Sequence, residues 1–187
     1  FSYFHLLDSS LALSYPGNKH FLKHHQITDK VRQKRKEEEH AASRLSPGKH
    51  APDVTMDGWN GQPYQLSDLQ GNYVILYFWA AGNARSRQVN KELKALYSDH
   101  KDRGLEVYAV SLDSNEEIWK AAIKLDQLDF IHVSDLMGAH SPVAKLYQVP
   151  GKLPYIYLLD KQGFIMFKGH NYGEVEELLL SSLAESV

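Results

Sequence analysis

The chain has 187 residues, 43% of them hydrophobic, enough for one ordinary domain with a buried core plus a small appendage, and wholesale disorder is excluded. Lys+Arg 21 against Asp+Glu 23 gives a net charge of −2, too balanced for a nucleic-acid surface. Cys is 0, which excludes a disulfide, a thiolate nucleophile, an iron–sulfur cluster and cysteine-ligated zinc.

The chain opens on Phe1 rather than Met, which reads as a processed or trimmed product. Apolar runs such as Val74-Ile75-Leu76 and Leu178-Leu179-Leu180 are far shorter than the ~20 residues of a membrane-spanning helix. Residues 1–47 hold eight Lys/Arg and five Asp/Glu, whereas the remainder holds 13 and 18. Phe4, Leu7 and Leu11 recur at helical spacing up to the turn signal Tyr15-Pro16-Gly17. A second helix is predicted over about 18–42, with the block Arg32-Gln33-Lys34-Arg35-Lys36-Glu37-Glu38-Glu39 as a solvated face. Its apolar residues are mainly Phe21, Leu22, Ile27 and Val31, too few for an independent core. Residues 1–45 therefore read as a helical arm, or the remnant of an upstream region. Phe1, Phe4, Leu7 and Leu11 are expected to lie on the following domain or on a second copy, so a homo-oligomer through the arm is one arrangement. His20 and His24 stand at i, i+4 beside His25, but with no third ligand in the turn and no HExxH pattern they read as solvated, and no metal is expected. Ser46-Pro47-Gly48 is the linker to a domain spanning 46–187.

Within that domain, 54–59 and 63–66 around Asn60-Gly61 predict a hairpin with a tight turn. Tyr73–Trp79 is a continuous aromatic and β-branched run, the pattern of a strand buried on both faces. Val89, Leu93, Leu96 and Tyr97 follow at helical spacing, and Leu105–Ser111 is a second buried strand. Ser114 with Glu117 suggests a capping box opening a helix with Ile118, Ala121, Ala122 and Leu125 facing inward. Ser141-Pro142 signals a further helix start. Strands at Tyr155–Leu159 and 164–167, joined by Asp160-Lys161-Gln162-Gly163, precede a closing helix carrying Val175, Leu178, Leu179 and Leu183. The order hairpin, β, α, β, α, short β, α, β, β, α is that of an α/β sandwich with a mixed central sheet and flanking helices. Trp119 and the tyrosines read as core and groove lining, and no GxGxxG, P-loop or GxSxG pattern points to a cofactor.

From about Gly48 onward the chain resembles the thioredoxin superfamily, in its TlpA/ResA-like and AhpC/TSA-like (redoxin) branch. The resemblance rests on Gly48-Lys49-His50-Ala51-Pro52-Asp53, Leu66-Ser67-Asp68-Leu69-Gln70-Gly71, Phe78-Trp79-Ala80, Val110-Ser111-Leu112-Asp113, Leu153-Pro154 and Leu158-Leu159-Asp160-Lys161-Gln162-Gly163, in the family's order. It implies a thioredoxin-like fold, a thiol-disulfide oxidoreductase ancestry and, from family habit, an extracytoplasmic location in the periplasm or cell envelope.

In that family Phe-Trp-Ala leads into C-x-x-C-R, with the first thiol at a helix N-terminus. Here Asn83 stands at the attacking position and Ser86 at the resolving one, followed by Arg87. The positions where the family often has an acid and a proline read Val89 and Lys91. Thiol-disulfide exchange needs a thiolate that neither Asn nor Ser supplies, so the site reads as degenerate. Asn83 reads first as a helix N-cap; together with Trp79, Arg85 and Ser86 it also forms a candidate polar recognition patch. The resemblance implies a cis Pro154 beside that helix, where Leu153, Pro154 and Trp79 would accept a peptide by strand addition. The resulting reading is a non-catalytic module for a protein or peptide partner. The competing reading is a thiol-disulfide oxidoreductase relative that works in redox homeostasis through a partner's cysteines.

Overall fold

The structure, a computed structural model, describes residues 19–185. The chain divides into two units at Arg44/Leu45, one residue before the expected boundary, and Leu45 is already buried in the second unit's core. The first unit contributes one long helix, α1 (Lys19–Arg44), on which Asp29 pairs with His25 at 3.2 Å and Arg32 at 3.4 Å. The expected contacts of Phe1, Phe4, Leu7 and Leu11 lie outside the described residues, as do the side chains of His20 and His24.

The second unit is built on a five-stranded sheet in the order β5-β4-β3-β6-β7, from β3 (Tyr73–Trp79), β4 (Leu105–Ser111), β5 (Ile131–Val133), β6 (Tyr155–Leu159) and β7 (Ile165–Gly169). The strands β3, β4 and β5 are parallel, while β6 and β7 are antiparallel to their neighbours, so the sheet is mixed. Every residue of β3 is buried, which is why its sequence shows no alternation. Its odd members Tyr73, Ile75, Tyr77 and Trp79 enter one core, with α2 (Ala84–His100), α3 (Glu116–Asp126) and α5 (Tyr172–Glu185). Its even members Val74, Leu76 and Phe78 enter the other, with Leu45, the hairpin β1 (Thr55–Asp57) and β2 (Pro63–Gln65), and the residues around α4 (Pro142–Leu146).

Two local expectations are corrected. The helix α3 is capped by Asn115, whose Oδ1 accepts from the Ile118 amide at 2.9 Å, rather than by Ser114. Its buried face is Trp119, Ala122 and Ile123; Ile118 and Leu125 are 56% and 76% exposed, and Ala121 is exposed. The Asn60-Gly61 turn is wider than a two-residue loop, since β1 and β2 pair only as far as Asp57 opposite Pro63. Gly58 donates to the Gln62 carbonyl at 2.7 Å and its own carbonyl accepts from Gly61 at 2.9 Å, which leaves Trp59, Asn60 and Gly61 as a three-residue loop with Gly61 at φ +79°; Gly58 also bridges Val133.

One segment secures both edges of the sheet. At the β7 side Gly48 donates to the Ile165 carbonyl, and Ile165 to that of Lys49, each at 2.8 Å. A few residues later Trp59 donates to the His132 carbonyl at 3.0 Å, and Ser134 to that of Asp57 at 3.2 Å, covering β5.

Candidate functional site

The site forms where β3 and β4 end side by side, at Trp79 opposite Ser111. Beyond them the chain must turn into α2, and the turn is held by a carboxylate. The Ala81 amide donates to both oxygens of Asp113 at 3.1 and 2.9 Å, the Ser111 hydroxyl donates to Asp113 Oδ2 at 2.7 Å, and the Leu112 amide donates to the Trp79 carbonyl at 2.8 Å. Sequence reasoning had Asp113 only as part of a motif; a Ser-x-Asp step after a buried strand was the available signal, since such side chains satisfy nearby amides.

Asn83 follows in extended backbone, φ −94° and ψ 115°, and its Oδ1 accepts from the Ser86 amide at 2.9 Å. It is a genuine N-cap, removing one of the helix's orphan donors. Ser86 is 0% exposed. Its carbonyl accepts from Tyr77 Oη at 2.8 Å, and its hydroxyl lies 3.5 Å from the Ala80 amide. Burial pushes the Tyr77 phenol well above its ordinary value. Trp79 is also 0% exposed. These two residues of the expected patch are therefore its floor, and a ligand cannot touch them without opening the core. Arg85, whose side chain is 56% exposed and 3.9 Å from Glu92, is the outward member. Val89, in place of the family's acid, is fully buried and, being apolar, supplies no proton acceptor at that position.

Arg87 turns the other way and grips α3: its Nε and Nη2 donate to Asp126 at 2.5 and 2.6 Å. Those bonds, ahead of any other cause, hold the Asp126 carboxyl below its ordinary range. Asn90 lies beneath, 0% exposed, with Nδ2 at 3.5 Å from the same carboxylate.

The sheet register carries Pro154 to the same end. Phe78 pairs with Tyr155, so Pro154, the residue before β6, falls level with Trp79. Pro154 is buried, Leu153 is half-buried, and the peptide between them is cis. The Pro154 carbonyl accepts from His170 Nδ1 at 2.7 Å; because a carbonyl only accepts, that nitrogen carries the proton. The Tyr155 ring meets the imidazole edge-on, centroids 4.9 Å apart. Among the described residues no backbone hydrogen bond uses the Leu153 amide or carbonyl.

A second imidazole near the site, this one fully buried, was not foreseen. His132, on β5, is 0% exposed, and neither ring nitrogen has a hydrogen-bond partner among the described residues. It packs at 4.5 Å from Phe130 and edge-on at 5.8 Å to Trp79. Burial holds it down at about 3, from an ordinary 6.5, so it is neutral throughout the physiological range.

A mixed sheet between helices, a helix starting beyond the central strand and a proline level with it define a thioredoxin-like domain. The chain belongs to the AhpC/TSA family, whose profile matches residues 47–168. It is similar to the thiol-disulfide oxidoreductase ResA of Bacillus cereus, 29% identical over 125 residues, 67% of this chain and 70% of that one. It is also similar to the thioredoxin domain of a thiol-disulfide oxidoreductase from Bacteroides vulgatus, with a TM-score of 0.68 and 30% identity over 74% of this chain and 98% of that one. A thiol-disulfide oxidoreductase from Bacteroides fragilis gives a TM-score of 0.65 at 31% identity, over 72% and 99%. The fold and the family are thus those of the redoxins, in a chain without cysteine.

Proposed function

We propose that this chain is a non-catalytic thioredoxin-like module that binds an extended protein or peptide segment. The observation that carries the reading is the fate of the two redox positions: Asn83 is spent on capping α2, and Ser86 is sealed in the core. What remains for a ligand is the first turn of α2, where the Ala84 and Arg85 amides and the Arg85 guanidinium can meet a carbonyl or carboxylate. Across from it, Leu153 offers a free amide and carbonyl for strand addition. Trp79, Ser86 and Pro154 shape this surface from below, while Asn83, Arg85 and Leu153 form its accessible part. By family resemblance we place the protein outside the cytoplasm.

The names of the relatives favour a second reading, an oxidoreductase acting with thiols supplied by a partner. Reduction of insulin by dithiothreitol separates the two: the module should not exceed an albumin control, and a catalytic rate would remove the non-catalytic reading. Binding is tested by titrating the isotope-labelled chain with carboxymethylated insulin B chain as an extended-peptide probe. Amide shifts clustered at 83–86 and 152–155 support the surface. No shifts up to ~1 mM peptide, a free energy of about −4 kcal/mol, would reject it for this class of ligand.

A further inference from the structure

Away from that surface, the loop between β1 and β2 carries a chemistry of its own. The chain has seven asparagines, and only Asn60 is followed by glycine. A residue without Cβ leaves its own amide nitrogen open to a neighbouring electrophile, and the side-chain carbonyl carbon of Asn60 is such an electrophile one residue before it. Both residues are exposed, so water and hydroxide reach them.

The fold restrains this pair with three hydrogen bonds. The Gly61 amide donates to the Gly58 carbonyl at 2.9 Å, which closes the turn and engages the nitrogen that would attack. Asn60 Oδ1 accepts from the Gln62 amide at 3.1 Å, and Asn60 Nδ2 donates to Tyr64 Oη at 2.9 Å. The Tyr64 ring reaches that position because Gly58 has no side chain: a Cβ there would collide with Cε2 of the ring. Both ends of the Asn60 amide are therefore tied, and they must let go before Cγ can meet the Gly61 nitrogen.

We propose that Asn60 is a site of spontaneous deamidation whose rate the fold sets through these three bonds. The Gly61 amide proton passes to hydroxide, the electron pair left on nitrogen forms a bond to Asn60 Cγ, and the Cγ–Nδ2 bond breaks, with ammonia leaving on a proton taken from water. A five-membered imide remains. Water then adds to one of its two carbonyls and cleaves that C–N bond, giving aspartate or isoaspartate. Isoaspartate runs the main chain through the side-chain carbon and lengthens the loop by one atom. The neighbouring Trp59 amide holds the His132 carbonyl at 3.0 Å, so that product loosens the cover on β5.

The test is mass spectrometry of the full chain during incubation in mildly alkaline buffer, with digestion to assign the position. The readout is the mass gained when –NH2 is exchanged for –OH, because Asp57-Gly58 can form the same imide without changing mass. The wild type should gain mass at Asn60 before any other asparagine, and at least ~tenfold more slowly than a linear peptide of residues 56–66, which lacks the three bonds. Tyr64→Phe keeps the ring on Gly58 and removes only the hydroxyl; it should speed the gain by about 2- to 10-fold with unchanged circular dichroism. Asn60→Gln, which would need a larger ring, should abolish it. The linear-peptide rate in the wild type, an unchanged rate or no modification in Tyr64→Phe, or earlier modification of another asparagine would each overturn the proposal.

Discussion

The buried imidazole of His132 makes the stability of this domain depend on pH in a defined window. Its folded value of about 3 lies below the ordinary 6.5, so the unfolded chain takes up a proton first as the pH falls. The contribution of the neutral ring is complete above 6.5, declines between 6.5 and 3, and is flat below that. The slope is about 1.4 kcal/mol per pH unit, so the loss from pH 7 to pH 5 is about 2 kcal/mol, a figure that holds for any folded value well under 5. His132→Phe removes the titration while keeping a ring against Phe130 and Trp79. It also removes polar atoms that lack partners, each of which costs ~1–3 kcal/mol when buried. The variant should accordingly be no less stable than wild type at pH 7, and more stable at pH 5 by about 2 kcal/mol beyond any difference at pH 7. Urea unfolding followed by far-ultraviolet circular dichroism at half-unit pH steps measures both. Equal pH slopes for the two proteins between 7 and 5 would refute the argument, because they would mean that the native ring takes up its proton as readily as the unfolded one.

Asn83→Ala removes the α2 cap and should lower stability by ~1 kcal/mol in the same assay. Replacing Asn83 and Ser86 together by cysteine should give an intramolecular disulfide on mild oxidation, shown by loss of titratable thiols without a dimer on a gel; persistent free thiols would mean that the two positions do not stand as the redox pair does. Asp126→Ala strips Arg87 of its acceptor and should cost about 1–2 kcal/mol at neutral pH. Because the folded Asp126 carboxyl is held below the ordinary 3.8, that difference should persist above the ordinary value and fade as the pH drops through the folded one. Leu125→Gln should change stability by less than ~0.5 kcal/mol, whereas Ile123→Ala should cost about 2–5 kcal/mol, and thermal melts of the pair check which face of α3 is buried.

The residues that made the fold legible were those whose local pattern and tertiary role agree. Tyr73 to Trp79 can be little but a central strand, and Asn83 fits a helix start whatever the rest of the chain does. The errors fell where local patterns offered two answers. The helix α3 has one apolar stripe through Trp119, Ala122 and Ile123 and a second through Ile118, Ala121 and Leu125, and only the approach of the sheet decides between them. In the site, Asp113 and His132 escaped because their roles depend on partners brought together by the β3–β4–β5 pairing, which no short window contains. The motif assigns Trp79 and Ser86 to the recognition patch beside Asn83 and Arg85, although Trp79 also ends a strand whose pattern is buried on both faces. The floor of a site and its rim are adjacent in sequence but differ in depth.

The stretch that binds both sheet edges has a further consequence for the order of events in folding. Gly48 and Lys49 need Ile165, and Asp57 and Trp59 need β5 and Ser134, so this early part of the domain finds its hydrogen-bonding partners only after most of the remaining chain exists. During synthesis it must wait, while β3 and β4 can already zip together beside α2. Such distant pairings are entropically late and slow the search. Until they form, the rows of amides on β5 and β7 stand open to any neighbouring strand, so the interval before the strap closes is when a nascent chain is most exposed to joining another by its edges.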